Sequence, residues 1–167
     1  MRRPLIVFLG GGVGAASRGL LLAWLAPWGA VVPLPVLLAN VLGAFILAIV
    51  VVLADETGVL RVETRLFLAV GVLGGFTTFS TLEWGTDLLL AQSPGAAGAA
   101  VVYLVASIMG GIVAVSAGFV AGHAVVTLLE RGADELLGRL EKRGLRRQGD
   151  ARADIAAVEA EDREESA

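Results

Sequence analysis

Residues 74–84 read GGFTTFSTLEW. Two adjacent glycines, four hydroxyl side chains and two phenylalanines interrupt a run that is otherwise Leu, Val, Ala and Ile. What they do depends on the solvent around them. From Pro4 to Ala54 the only charge is Arg18, and from Leu66 to Leu129 the only formal charges are Glu83 and Asp87. Each stretch far exceeds the roughly 20 apolar residues that cross a bilayer as helix. The charged fraction of 17% lies below the roughly 25% usual in soluble domains, and the mean hydropathy of +0.80 points the same way. The pattern predicts an all-α integral membrane protein.

Four transmembrane helices follow from the hydropathy, at about 5–26, 36–54, 66–90 and 97–129. Trp24, Pro27, Trp28, Pro33 and Pro35 mark the first connection, where tryptophan suits the headgroup level and proline ends helices. The second connection, DETGVLRVETR, is charged, and the third, AQSPGAAG, is not. Connections this short make neighbouring spans antiparallel. The first apolar segment is as long as a full span, so it is read as retained and not as a cleavable signal. Residues 1–129 thus form a four-helix transmembrane domain. Residues 130–147, with leucines at 136, 137 and 140 among charges, read as an amphipathic basic juxtamembrane helix. Residues 148–167 read as an acidic disordered tail, whose blander account is a solubilising end. Without cysteine the chain forms no disulfide.

One look-alike falls away. PLIVFLGGGVGAASRG places Gly10, Gly12 and Ala15 at the G-x-G-x-x-A spacing of a dinucleotide-binding turn. That motif needs an acidic residue about 20 positions on to hold the ribose, and no Asp or Glu occurs before Asp55. The small residues are expected to let this helix approach a neighbour closely.

Few residues remain that can carry chemistry. Arg18 lies inside the first span, facing a cavity or partner, or else snorkelling to the headgroups. Asn40 is either an interhelical hydrogen bond or a donor lining an aqueous path. Gly71, Gly74 and Gly75 weaken a helix, and Thr77, Thr78, Ser80 and Thr81 can satisfy the backbone groups that a break near the middle of the third span would release. Irregular backbone at membrane depth is tolerated only where it is buried or lines a water-filled cavity. Freed carbonyls suit a hard cation such as Na⁺, while freed N–H and hydroxyl donors suit an anion. The plainer account is a packing face with hydroxyls bonded back to their own helix. Tyr103 and Ser107 lie four apart, on one face of the fourth span. Glu83 and Asp87, one turn apart, read as solvated at headgroup level. His123 has no second histidine with which to complete a metal site. Nothing resembles a nucleophile–base arrangement, so no enzyme is expected, and no nucleic-acid partner either.

GGFTTFST, taken with GGGVGAASR (10–18) and LLANVLGAF (37–45), resembles the Fluc/CrcB-type fluoride channels over essentially residues 5–125. The resemblance implies a passive fluoride path in an antiparallel (inverted) dimer, with a structural Na⁺ at its centre held by the backbone carbonyls of Gly74 and Thr77. It implies that Phe79 turns its ring edge to the anion, and that Asn40, Tyr103 and Ser107 line the pore. Ser80 and Thr81 fall on the family's hydroxyl track, and Arg18 on its first-helix arginine. Two positions depart from the pattern. Leu82 stands where many relatives carry a second phenylalanine, and Gly85 where an acidic residue is common.

Arg2, Arg3, Arg61, Arg65 and every Lys and Arg of the tail fall on one side of a four-span topology. The positive-inside rule then predicts termini in the cytoplasm of a cell-membrane protein. Two partners stay open: a second copy in opposite orientation, or an inverted paralogue that supplies the ring missing at Leu82. Two rival functions stay open as well. One is a small proton-coupled exporter of organic cations, which needs an embedded carboxylate that the first two spans lack. The other is a non-conducting partner subunit.

Overall fold

The computed structural model describes residues 2–28, 33–58, 60–92 and 95–165. Among them are four helical stretches long and apolar enough to cross a membrane: Arg2–Leu25, Leu34–Glu56, Val62–Ala91 and Ala97–Leu140. The protein is a multi-pass membrane protein. Its exterior bears this out, since Phe8, Leu20, Trp24, Val102, Val113 and Val120 are all exposed, a surface that lipid tolerates and water does not.

The first span is one helix, α1 (Arg2–Leu25), followed by a 3₁₀ turn at Ala26–Trp28. In α2 (Leu34–Glu56), Pro35 sits in the first turn, where its missing N–H would have no partner anyway. The amides of Val36 and Leu37 both reach the Pro33 carbonyl, at 3.1 and 3.3 Å. At the other end Thr57 returns its hydroxyl to Leu53 O at 2.6 Å. Gly58 then turns the chain out with φ 60°, a conformation that costs glycine nothing.

The third stretch is composite. A short α3 (Val62–Arg65) opens into a π-helical segment, Leu66–Leu73, and closes as α4 (Gly74–Phe76). After Thr77, whose ψ of 155° is extended, α5 (Ser80–Gln92) resumes. The fourth stretch, α6 (Ala97–Glu165), begins with Ala100 N bonded to Ala96 O at 3.0 Å.

Two seams of small residues set the packing. Gly10 and Gly14 of α1 face Gly71 and Gly75 of the third stretch, so the two run parallel. A Cβ on Gly10 would stand 2.6 Å from Phe67 O, one on Gly14 would overlap Val72 O, and one on Gly75 would overlap Gly11 O. Backbone lies directly on backbone, the approach that small residues permit in membranes. The expectation that small residues of the first span admit a neighbour holds at Gly10 and Gly14, while Gly12 faces open space. The second seam joins α6 to α2. There Gly118 meets Phe45 O and Ala48, and Gly122 meets Val52. Between them, Val36, Leu82, Leu89, Ala100 and Tyr103 form the buried cluster, with Leu89 2% exposed.

The chain divides into two units, Met1–Val126 and Thr127–Ala167. Within the second, Leu136, Leu137 and Leu140 are exposed, and Arg139 pairs with Glu135 at 2.6 Å. That pair is solvated on both sides and contributes little. The backbone stays helical to Glu165, through residues 148–165 that low apolar content predicts to be disordered. Alanine, glutamate and arginine there have high intrinsic helix propensity, a local preference that hydrophobicity does not measure.

Candidate functional site

The residues around Thr77 are built by diverted hydrogen bonds. In an unbroken α-helix the Thr78 N–H would donate to Gly74 O and the Thr81 N–H to Thr77 O. Here Thr78 N donates to Asn40 Oδ1 at 2.8 Å, and Thr81 N donates to the Thr78 hydroxyl oxygen at 3.2 Å. Both capturing groups are side chains. Asn40 also donates through Nδ2 to Thr78 O at 2.9 Å, so its amide pairs with both backbone groups of one residue. Thr78, two residues ahead of α5, meanwhile gives its hydroxyl oxygen to the otherwise orphaned amide of Thr81. The carbonyls of Gly74 and Thr77 are among those deprived of their helical donors.

Their surroundings differ. A Cβ on Gly74 would meet nothing nearer than Ala69 O, at 4.0 Å. Thr77 O instead accepts from Arg18 Nη1 at 3.3 Å. The guanidinium therefore points inward from α1 to the backbone at Thr77. Thr77 is held from the other side by α2, where a Cβ on Gly43 would overlap its methyl group. A side chain at Gly43 would require the Thr77 methyl and the Phe76 ring to give way.

Beside this turn lies a groove of about 570 Å³ whose lining includes Asn40, Thr77, Thr78, Phe79, Leu82 and Ser107. Phe79 is 73% exposed, so its ring stands at the rim and not in the core. Leu82 is buried and belongs to the apolar cluster as well as to the groove wall. The walls are mostly aliphatic, from Ala44, Leu47, Ile108 and Ile112, with a few polar groups set into them, the usual composition of a site that fixes a small polar species.

The sequence-predicted residues fall into three places. Asn40, Thr77, Phe79 and Ser107 share the groove. Ser80 and Thr81 are tied to it through Thr78, whose hydroxyl lies 3.3 Å from Ser80 Oγ and 3.0 Å from Thr81 Oγ1. Tyr103 sits in the buried cluster, its hydroxyl oxygen buried with no hydrogen-bond partner among the described residues. A Cβ on Gly85 would stand 2.7 Å from Pro33 Cγ and 3.3 Å from that oxygen, so glycine at this position makes room first for Pro33 and then for the hydroxyl. Glu83 and Asp87 are not part of the groove lining.

Proton directions limit what the groove can donate. Ser107 Oγ donates to Tyr103 O at 2.8 Å, Ser116 Oγ to Ile112 O at 2.9 Å, and Thr77 Oγ1 to Leu73 O at 3.0 Å. These hydroxyls turn lone pairs, not hydrogens, toward the groove, as serine and threonine in membrane helices commonly do. The second Nδ2 hydrogen of Asn40, the positive edge of the Phe79 ring and the one hydroxyl hydrogen left over when Thr78, Ser80 and Thr81 share two bonds remain as donors. Ser107 can add its own only by rotating off the backbone. Thr78 and Gly43 are the residues that sequence reasoning did not single out as site residues. The T-x-x-T spacing of Thr78 and Thr81 is a readable helix-start signal, whereas the need for glycine at 43 exists only once α2 and the third stretch are in contact.

Comparison with known proteins places these residues in context. A family model described as CrcB-like protein, Camphor Resistance (CrcB), matches residues 5–119. A protein of Anaeromyxobacter sp. (strain K) named fluoride-specific ion channel FluC is 43% identical over 115 residues, 68% of this chain and 90% of that protein. One of the same name from Thermus thermophilus is 42% identical over 127 residues, 75% of this chain and 98% of that protein. A third, named fluoride-specific ion channel FluC 2, from Leifsonia xyli subsp. xyli, is 39% identical over 127 residues, 74% of this chain and 86% of that protein.

Proposed function

The chain belongs to the CrcB family, and from that premise we propose that it is a subunit of a passive, fluoride-selective ion channel of the cell membrane. It lets fluoride leave the cytoplasm and so lowers its toxicity. The observation that carries this reading is the groove beside the Asn40–Thr78 pair, in a chain similar along most of its membrane region to proteins named for fluoride conduction.

Fluoride is small and strongly hydrated. A path for it has to replace water with donors while offering no fixed positive charge strong enough to trap the ion. Asn40 supplies an amide hydrogen and Phe79 a ring edge, and Ser107 adds a donor on rotation. Tyr103 lies deeper, where its hydroxyl becomes available to an ion only when the cluster around Gly85 yields. Arg18 is the nearest full charge, and its bond to Thr77 O keeps it at the backbone and off the groove wall. That placement argues for attraction of anions toward the path without a direct ligand role. No step consumes ATP or breaks a bond, so flow follows the gradient.

The third span is read as a helix broken at its middle, supported by the extended Thr77 and the diverted amides of Thr78 and Thr81. The oxygens so released, of Gly74 and Thr77, fit a hard cation. In this proposal Na⁺ is held there and supplies structural cross-bridging. A carbonyl has two lone pairs, so Thr77 O can serve the ion and Arg18 together. Replacing Na⁺ by a large organic cation is expected to lower stability in detergent by about 1–3 kcal/mol, the scale set by losing a saturating ligand. Equal unfolding midpoints in the two salts would remove the cation from the proposal.

The working unit is an antiparallel dimer in which a groove is closed by its partner. The partner is a second copy or an inverted paralogue. Arginines at 2, 3, 61 and 65 favour a single orientation with cytoplasmic termini, and hence the paralogue.

Electrode-monitored efflux from liposomes holding this chain alone tests the function. Fluoride leaving quickly, with chloride retained, is the expected result for a self-sufficient channel. Silence toward both ions, from folded protein and also after adding an opposed paralogue, would end the channel reading.

A further inference from the structure

The parallel packing of α1 on the third stretch, fixed at Gly10–Gly71, brings the start of both spans to the same membrane boundary. Arg2 and Arg3 open the first span, and Arg61 directly precedes the third at Val62. Gly10 lies eight residues past Arg2 and Gly71 ten past Arg61, so at about 1.5 Å per residue the guanidinium-bearing turns stand at similar heights. They border one groove of about 820 Å³, together with Ile6, Glu63 and Thr64.

The carboxylates nearby are largely committed elsewhere. Asp55 is held by Arg65 at 2.6 Å, and Glu56 lies 2.8 Å from His123 Nε2. Among the described residues no carboxylate lies within ion-pair distance of Arg2, Arg3 or Arg61, and Glu63 is the one acid on the groove wall. Three guanidinium groups against one carboxylate leave this groove with an excess of two positive charges. Guanidinium is planar and forked, which suits a tetrahedral phosphate better than a point charge does. Ile6 and Pro4 continue the same wall into the apolar span. A phosphate that carries its own hydrocarbon chains fits such a place, since basic pockets between membrane helices at the polar boundary hold anionic headgroups.

We propose that this groove binds the phosphate of an anionic phospholipid. Soluble phosphate shares the headgroup chemistry but not the apolar continuation, so it binds here far more weakly. The site is separate from the fluoride groove, and its test does not depend on conduction.

The test uses the full chain in phosphatidylcholine vesicles with and without phosphatidylglycerol. It reads lipid retained after extraction by native mass spectrometry, and the unfolding midpoint. Retention of phosphatidylglycerol over phosphatidylcholine is expected to fall by about tenfold or more in an Arg3→Gln/Arg61→Gln chain. Arg152→Gln/Arg163→Gln, which removes the same charge from the acidic tail, is expected to leave retention unchanged. Should the double groove variant fail to fold, Arg61→Gln alone reads the same quantity. Equal retention of both lipids, equal loss in the tail variant, or matching stabilisation by inorganic phosphate would each overturn the proposal.

Discussion

A Gly14→Ala chain will lose the packing of its first span on its third, at a cost of about 3 kcal/mol or more. Alanine normally improves an exposed helix position over glycine by about 1 kcal/mol, so the expected sign is the reverse of the intrinsic one. The reason is the neighbour. The added methyl would occupy the position of the Val72 carbonyl oxygen and press on Phe76 N at 2.9 Å. Those are backbone atoms, which cannot change rotamer to make way, so whole helices have to separate. Overpacking in a core with flexible side chains costs about 1–3 kcal/mol, and a rigid neighbour puts this case at or beyond the upper end. Gly12→Ala, two residues away with nothing within 4 Å, is the control and should be neutral or stabilising. Unfolding midpoints and the yield of monodisperse protein in detergent check both. A Gly14→Ala chain as stable as the parent would mean that the seam is not where the helices meet.

Asn40→Leu is expected to slow fluoride efflux at least tenfold while the spans themselves persist. Leucine keeps the branched shape, is somewhat bulkier, and removes both bonds to Thr78. Each such bond in a membrane bundle is worth about 0.6 kcal/mol on average and up to about 1.7 kcal/mol, and an unpaired peptide group left behind costs roughly 1–3 kcal/mol more. The cheapest relief is local. Thr78 N–H returns to Gly74 O, the helix continues through Thr77, and the released oxygens disappear. Two losses should therefore travel together, the efflux and the response of stability to Na⁺. Asn40→Asp separates them, because its carboxylate still accepts from Thr78 N–H but cannot donate to Thr78 O. Its backbone turn should survive with the sodium response, while a fixed negative charge at the groove repels fluoride. Parent-like efflux and sodium response from Asn40→Leu would refute the role assigned to this amide.

The membrane architecture was legible because lipid leaves so few choices. A span needs about 20 apolar residues, and the hydropathy limits of 36–54 sit within α2 (Leu34–Glu56). The third span starts earlier than hydropathy suggests, at Val62 and not 66, because a charged turn such as VETR can be helical without being apolar. The GGFTTFST stretch was legible as polar groups in the wrong solvent. What the sequence could not disclose was direction. Tyr103 and Ser107 share a helix face, which suggested two hydroxyls presented together, yet Ser107 donates to the Tyr103 carbonyl while the Tyr103 hydroxyl lies buried near Gly85. Periodicity places a Cβ on a face and says nothing of where its proton goes. Asn40 raised the opposite difficulty. The sequence leaves an interhelical bond and a donor lining an aqueous path as alternatives, and the amide makes the interhelical bonds to Thr78 while bordering the groove. Gly43 carries no signal of its own, since its importance lies in the methyl of a threonine 34 positions away.

The glycine seam has a mechanical meaning beyond its stability. A contact between side chains has slack, because a rotamer can change and absorb a shift before either backbone feels it. Peptide against peptide has none. Arg18 stands one turn beyond Gly14, and Thr77 two residues beyond Gly75, so the bond from Arg18 to Thr77 O spans a joint that cannot flex. The close backbone approach is therefore expected to make the first span and the first half of the third move together. Any motion that widens the groove at Phe79 must then come from α2, α5 or α6, leaving the Arg18–Thr77 bond in place as its fulcrum.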